Sequence, residues 1–264
     1  MNTNRRSLLK FAGLAVLGWS VKPALTVFAA GGAGPREAIL FASRHGAPTG
    51  EKALKAGRWA MVIDTSKMTP EIQKKCIEVC HKTHNVPSIP TKQEIKWLWT
   101  AQFSDVFAEQ SHPYLEKLTK RPTLTLCNHC DNPPCVRVCP TKATFQREDG
   151  IVMMDFHRCI GCRYCMAACP YGSRSFNFQD PRPFIENIDM EFPTRTKGVV
   201  EKCEFCAERL AEGHLPACVE VSEGAMAFGD LDDPGSDVRK LLGARYSIRR
   251  KPELGTEPCV YYLI

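Results

Sequence analysis

A chain of 264 residues with 44% hydrophobic content can bury one large core or two modest ones, which excludes a disordered or collagen-like polypeptide. Its formal charge of +6 is uneven: Arg5, Arg6, Lys10 and Lys22 fall in the first thirty residues, which hold no acid, leaving +2 for the remainder. That balance, with no basic patch interleaved with aromatics, argues against nucleic acid as a partner. The run Arg249-Arg250-Lys251 reads as solvated surface.

Residues 1–30 have the anatomy of an export signal: a basic start N-R-R-S-L-L-K, the apolar run 11–21, Lys22-Pro23, and small residues ending at Ala29-Ala30. The Arg5-Arg6 pair points to the twin-arginine route. An uncleaved anchor is the alternative, but eleven uninterrupted apolar residues fall short of the roughly 20 a spanning helix needs. Residues 31–56 are Gly-rich and weakly patterned, a linker in which His45 has no second ligand type nearby.

Trp59-Ala-Met-Val-Ile-Asp64 is short and β-branched enough for a buried strand. Met68, Cys76 and Cys80 follow it. Cys76-x3-Cys80-His81 is one residue too long for c-type haem attachment. Residues 87–121 form an insertion with Trp97, Trp99, Phe103, Phe107 and Tyr114, whose spacing predicts a helix or two with an aromatic face packed on the chain's own core.

The chemistry concentrates next. Cys127, Cys130, Cys135 and Cys139 are followed, after Pro140 and eighteen further residues, by Cys159, Cys162, Cys165 and Cys169 with Pro170. The second run is C-x2-C-x2-C-x3-C-P, a ligand spacing for cubane clusters in which the fourth cysteine of each run ligates the other run's cluster. The first has two extra residues before its third cysteine. Zinc closes its sites with four ligands in two pairs, and a disulfide framework has no need of three cysteines within seven residues. Crossing therefore assigns one 4Fe-4S cluster to Cys127, Cys130, Cys135 and Cys169, and another to Cys159, Cys162, Cys165 and Cys139. Between the runs, 144–148, Asp149-Gly150 and 151–155 read as a hairpin.

Farther on stand Cys203, Cys206, Cys218 and Ser222, where a fourth cysteine and trailing proline would be expected. Beside the inner pair, this run and Met68–Cys80 look like a second unit with parts missing. Crossing gives a third cluster to Cys203, Cys206, Cys218 and Cys80. The reciprocal set of Met68, Cys76 and Ser222 has one thiol and is expected to hold nothing. Of fourteen cysteines, Cys76 and Cys259 are left over as buried thiols. His81, His84, His129 and His214 stand near ligands, placed to donate hydrogen bonds to a cluster. Each oxidised cubane adds a formal charge of about −2, so the loaded protein is expected to be mildly acidic. Clusters assembled before export also fit a route that carries folded protein.

The expected fold class is α+β, with two nested bacterial ferredoxin-like units. The outer spans 57–86 and 195–230, the inner spans 122–180, and 231–264 is a tail. Strands at 174–178 and 225–229 close the last two runs. No nucleophile elbow, metalloprotease helix or phosphate loop appears, and the pattern reads as electron carriage.

R-W-A-M-V-I-D, the inner runs, K-C-E-F-C-A-E-R-L-A-E-G-H-L-P-A-C-V-E and the tail E-L-G-T-E-P-C-V-Y-Y-L resemble the iron–sulfur subunits of complex iron–sulfur molybdoenzymes and their relatives, over residues 59–263. The departures at Met68 and Ser222, with I-E-V-C-H-K-T-H-N-V-P and the twin-arginine leader, most resemble the DsrO-like subfamily, periplasmic subunits of DsrMKJOP membrane complexes. The resemblance implies an integral membrane partner of the NrfD/DsrP type that handles quinone and a multi-haem cytochrome c partner of the DsrJ type. It also implies a place in dissimilatory sulfur metabolism, on the outer face of the cytoplasmic membrane.

Overall fold

The computed structural model describes residues 50–110 and 121–264. The expected signal segment, the linker to residue 49 with His45, and Tyr114 lie outside the described residues. No described helix is long and apolar enough to cross a membrane.

A four-stranded sheet is built around β1 (Trp59–Asp64), in the order β8 (Met226–Asp230), β1, β10 (Val260–Leu263), β9 (Ser247–Ile248). β10 runs parallel to β1 with Met61 opposite Val260, and β8 runs antiparallel with Met61 opposite Phe228. Every residue of β1 is buried, because both faces are covered. Successive side chains point to opposite faces, so Trp59, Met61 and Ile63 join the main core. Ala60 and Val62 instead pack with Leu231, Cys259 and Val238 of a C-terminal helix, Asp237–Ala244. That double burial removes the polar alternation expected of a one-faced strand.

Helix α1 (Pro70–Thr83) starts where its sequence says it should. The Thr69 hydroxyl accepts from Ile72 N at 3.3 Å, Pro70 occupies the first turn, and Glu71 complements the positive end. Ile72, Cys76 and Cys80 recur every four residues on its buried face. That face meets the short helix Ala217–Glu220, which carries Cys218. The two ends of the outer segment thus touch twice, through β1 with β8 and through these helices. The inner segment holds its own hairpin, β4 (Thr144–Gln146) with β5 (Val152–Met154), turned at Asp149-Gly150 with Gly150 at φ +84°. The sequence placed that hairpin correctly, with strands shorter than expected. A two-stranded ladder joins β6 (Ser175–Phe176), after the second inner run, to β7 (Val200–Glu201), just before Cys203.

Two expectations fail. Among the described residues of the insertion, part of the stretch read as helical is a strand: β2 (Leu98–Gln102) pairs antiparallel with β3 (Pro122–Leu126), followed by short helical turns at Phe103–Val106 and Ala108–Gln110. The partner strand lies beyond the insertion, so local spacing could not reveal it, and the tertiary ladder wins over periodicity. Its aromatics do pack on the chain's own core, with Trp97, Phe103 and Phe107 buried. The Arg249-Arg250-Lys251 run is not free surface either. Arg250 is buried over the Tyr171 ring and donates to Tyr171 O, and Lys251 Nζ donates to Pro170 O at 3.1 Å. Carbonyls after Cys169 need donors, and the basic tail supplies them.

A buried ion pair ties the outer and inner segments. Arg195 and Glu201 are both 0% exposed and meet at 2.7 Å. Arg195 also donates to the carbonyls of His84, Pro193 and Asn85, while Glu201 accepts from Trp97 Nε1 and Asn177 Nδ2. Removing one member of such a pair strands the other charge in the core. Arg195→Met is expected to destabilise the fold by about 3–5 kcal/mol, read as an earlier denaturation midpoint; an unchanged midpoint would contradict this role.

Candidate cluster-binding sites

Thirteen of the fourteen cysteines are buried or half-buried, Cys162 being the exposed one, and none is in a disulfide. They gather into three groups of four plus two outliers. Cys80 on α1 shares an enclosed cavity with Cys203, Cys206 and Cys218, walled by Met61, Trp97, Leu98, Leu126, His84 and Phe205. Cys139 shares a second with Cys159, Cys162 and Cys165, walled by Ala143, Met154, Ile160 and Val200. In the third group Cys130 feels the charges of Cys127, Cys135 and Cys169. In each group three cysteines come from one run and the fourth from another.

Backbone conformation lets the runs fold so tightly. Gly161 between Cys159 and Cys162 has φ +70°, and a Cβ there would collide with Gly198 O. Arg163, Phe205 and Cys206 also take left-handed φ, which non-glycine residues rarely adopt. These bends start the short helices Tyr164–Ala168 and Ala207–Ala211 immediately after the cysteines.

Burial dominates the electrostatics of these thiols. Burial, then Cys203, Cys206 and Cys218, pushes the Cys80 thiol well up. Cys203 is pushed up to about 12 by burial and then by Cys127. Burial also raises Cys127, while Lys202 and Arg174 pull against it. Cys139 is the exception: its burial is outweighed by hydrogen bonds from residues 141–144, which hold it below the ordinary thiol value. Four thiolates in one apolar pocket cannot ionise together unless cations enter among them. Iron held by thiolate meets that demand. The donor set fits a 4Fe-4S cluster: all-sulfur, fourfold and free of disulfides. So does a buried donor with no acceptor in the protein, Asn128 Nδ2, between Cys127 and Cys130. Asn128 Oδ1 is equally unpartnered, and cluster sulfur would not satisfy it.

Cys76 is not brought into any group. It is one turn from Cys80, but its Sγ donates to Cys218 O at 3.3 Å, and burial, then Glu223, pushes it up to about 11. Met68 is buried in the main core. Ser222 Oγ donates to Val219 O at 2.7 Å and accepts from Met226 N at 3.1 Å, an ordinary turn contact. Cys259 is buried in the second core beside Val62.

The four histidines divide. His84 is 1% exposed, 3.8 Å from Cys80 Sγ, stacked on Trp97, with Nε2 2.9 Å from Glu208. His84, Cys206 and Glu208 offer ligand atoms within 4.8 Å of one another, but His84 and Cys206 already line the Cys80 cavity. His129 is buried, accepts from Val152 N at 3.1 Å and stacks on Phe205 at 3.6 Å. His214 is exposed, and His81 lines a separate surface recess with Ile89 and Ile95.

Sequence reading missed two buried cations. Arg174 donates to Cys135 Sγ at 3.0 Å and to Thr144 Oγ1 at 2.8 Å. Lys202 is 0% exposed and donates to the carbonyls of Val152 and Cys203. The available signal was position: Lys202 directly precedes a ligand-type cysteine, and Arg174 follows the second inner run by five residues.

Fold and site together define a ferredoxin-type protein built to hold 4Fe-4S clusters. Residues 122–231 match the family model described as a 4Fe-4S dicluster domain. The chain is 40% identical over 236 residues to the Hdr-like menaquinol oxidoreductase iron-sulfur subunit 1 of Archaeoglobus fulgidus, covering 80% of this chain and 85% of that protein. It is 36% identical over 236 residues to the menaquinone reductase iron-sulfur cluster-binding subunit of Nitratidesulfovibrio vulgaris, covering 78% and 88%. To a polysulfide reductase subunit of Wolinella succinogenes it is 42% identical over 137 residues, covering 51% and 63%. The chain belongs to this family of 4Fe-4S electron-transfer subunits.

Variants separate the two cysteines of α1. Cys80→Ser is expected to lose about four iron atoms per chain, one cubane, and Cys76→Ser none, by iron and acid-labile sulfide assay of anaerobically prepared protein. Iron loss from Cys76→Ser would overturn the outer ligand set.

Proposed function

We propose that this chain is a one-electron relay through three 4Fe-4S clusters, held by Cys127, Cys130, Cys135 and Cys169; by Cys139, Cys159, Cys162 and Cys165; and by Cys80, Cys203, Cys206 and Cys218. The observation that carries the proposal is the closure of each cysteine triplet by a fourth cysteine from a distant segment. Each cubane supplies a one-electron couple whose potential follows net charge, hydrogen bonding and exposure. The protein's part is position and dielectric. Cys165 feels Cys135, and Cys203 feels Cys127, so the Cys127 set neighbours both of the others, and the relay is taken as a line through it. Exposed Cys162, with Ile160 and Tyr164 beside it at 67% and 62% exposure, gives the line an end at the surface. The other end lies under α1.

The relay serves, on this reading, between a quinone-handling membrane subunit of the NrfD/DsrP type and a periplasmic cytochrome c of the DsrJ type, in a dissimilatory sulfur-metabolism complex. The menaquinol and menaquinone named for two relatives support the quinone side. The engagement of Cys76 and Ser222 in ordinary packing supports the DsrO-like assignment. Arg5-Arg6 and the apolar run after them support twin-arginine export to the outer face of the cytoplasmic membrane. A second reading, an electron-transfer subunit of a polysulfide, nitrite or DMSO reductase-type enzyme, is favoured by the Wolinella relative. The subunits that co-purify distinguish the two.

Purified protein is expected to be brown and to bleach with dithionite. Colourless protein holding zinc would end the relay reading. Changing Arg5-Arg6 to Lys-Lys is expected to leave holoprotein in the cytoplasm, and normal export of that variant would remove the pair as the address.

A further inference from the structure

The line of clusters has two junctions, and the structure puts one buried cation at each. Arg174 stands between the Cys127 and Cys139 sets: it donates to Cys135 Sγ at 3.0 Å and its charge reaches Cys165, Cys127 and Cys169. Lys202 stands between the Cys127 and Cys203 sets. Its ammonium donates to Cys203 O and to Val152 O, and Val152 N donates to His129, which stacks on Phe205 across the seam. Both cations face Cys127. Among the described residues, neither has a carboxylate within 4.0 Å: Lys202 binds two carbonyls, and Arg174 binds sulfur and a threonine hydroxyl. Glu204 lies two residues from Lys202 in sequence, but its Oε1 accepts from Met154 N at 2.6 Å.

A buried cation with no carboxylate is costly unless an anion lies nearby. The proposed relay supplies that anion, because an all-thiolate cubane is negatively charged and gains a further negative charge on reduction. A fixed positive charge in a low-dielectric wall stabilises the reduced form more than the oxidised form. We propose, on the relay reading above, that Lys202 and Arg174 are potential-setting charges, each raising the potential of the two clusters it separates, so that the middle cluster alone responds to both.

The test is an EPR-monitored redox titration of full-length Lys202→Met and Arg174→Met, with Lys202→Arg and Arg174→Lys as charge-keeping controls. Signals are assigned against Cys80→Ser, which lacks the Cys203 set. Lys202→Met is expected to lower the Cys127-set and Cys203-set clusters by at least tenfold in the reduction equilibrium, about 59 mV for one electron, and to leave the Cys139 set in place. Arg174→Met is expected to lower the Cys127 and Cys139 sets and spare the Cys203 set. The charge-keeping variants are expected to stay close to the parent. Unmoved potentials in the uncharged variants, or equal shifts in the charge-keeping ones, would overturn the proposal. Where a methionine variant loses iron, the glutamine variant replaces it, and iron loss from both would make that residue structural and overturn its assigned role. Failure of the relay reading would show separately, as fewer than three clusters in the parent before any substitution.

Discussion

Each cysteine triplet here is met by a fourth cysteine that its own loop does not contain, and the fold is what brings the two together. Cys80 reaches Cys203, Cys206 and Cys218 because α1 packs on the Cys218 helix. That contact is set by β1 pairing with β8 across more than 160 residues of chain. Cys139 and Cys169 exchange places across the inner hairpin in the same way. Cluster binding and tertiary structure are therefore one equilibrium, since ligands spread over distant segments are assembled only in the folded chain.

Charge is the second constraint. The interior holds an Arg195–Glu201 pair that binds segments together, and, beside the cysteine groups, two cations, Arg174 and Lys202, that bind sulfur or carbonyl oxygen instead of acids. The first kind is structural and would be expected in any protein that buries ions with complementary partners. The second kind is suited to a core that holds anions of its own. Aromatic walls complete the environment: Trp97 against His84 on the outer set, and Phe205 against His129 at the seam with the inner one.

Much of this was legible in the sequence because thiol ligation leaves a spacing signature that survives without any knowledge of the fold. The three groupings, the unpaired Cys76, the Asp149-Gly150 turn and the buried strand at Trp59–Asp64 were all readable from it. The insertion was not, because Leu98–Gln102 takes its conformation from a strand that begins at Pro122. Arg250 was misread for a related reason: a basic run looks solvated until the Tyr171 ring and carbonyl that receive it are in place. Arg174 and Lys202 were passed over because charged residues are mostly exposed, and only the folded core shows what they face.

The outer unit is where the central claim is most exposed, since three complete cysteine sets stand beside one that Met68, Cys76 and Ser222 do not complete. Iron and acid-labile sulfide measured per chain on anaerobically purified protein read that directly. Close to twelve of each, roughly four per cubane, is the expected result. Values near sixteen would place a fourth cluster at Cys76, and values near eight would leave the Cys80 set unfilled; either would contradict the ligand sets derived from the fold.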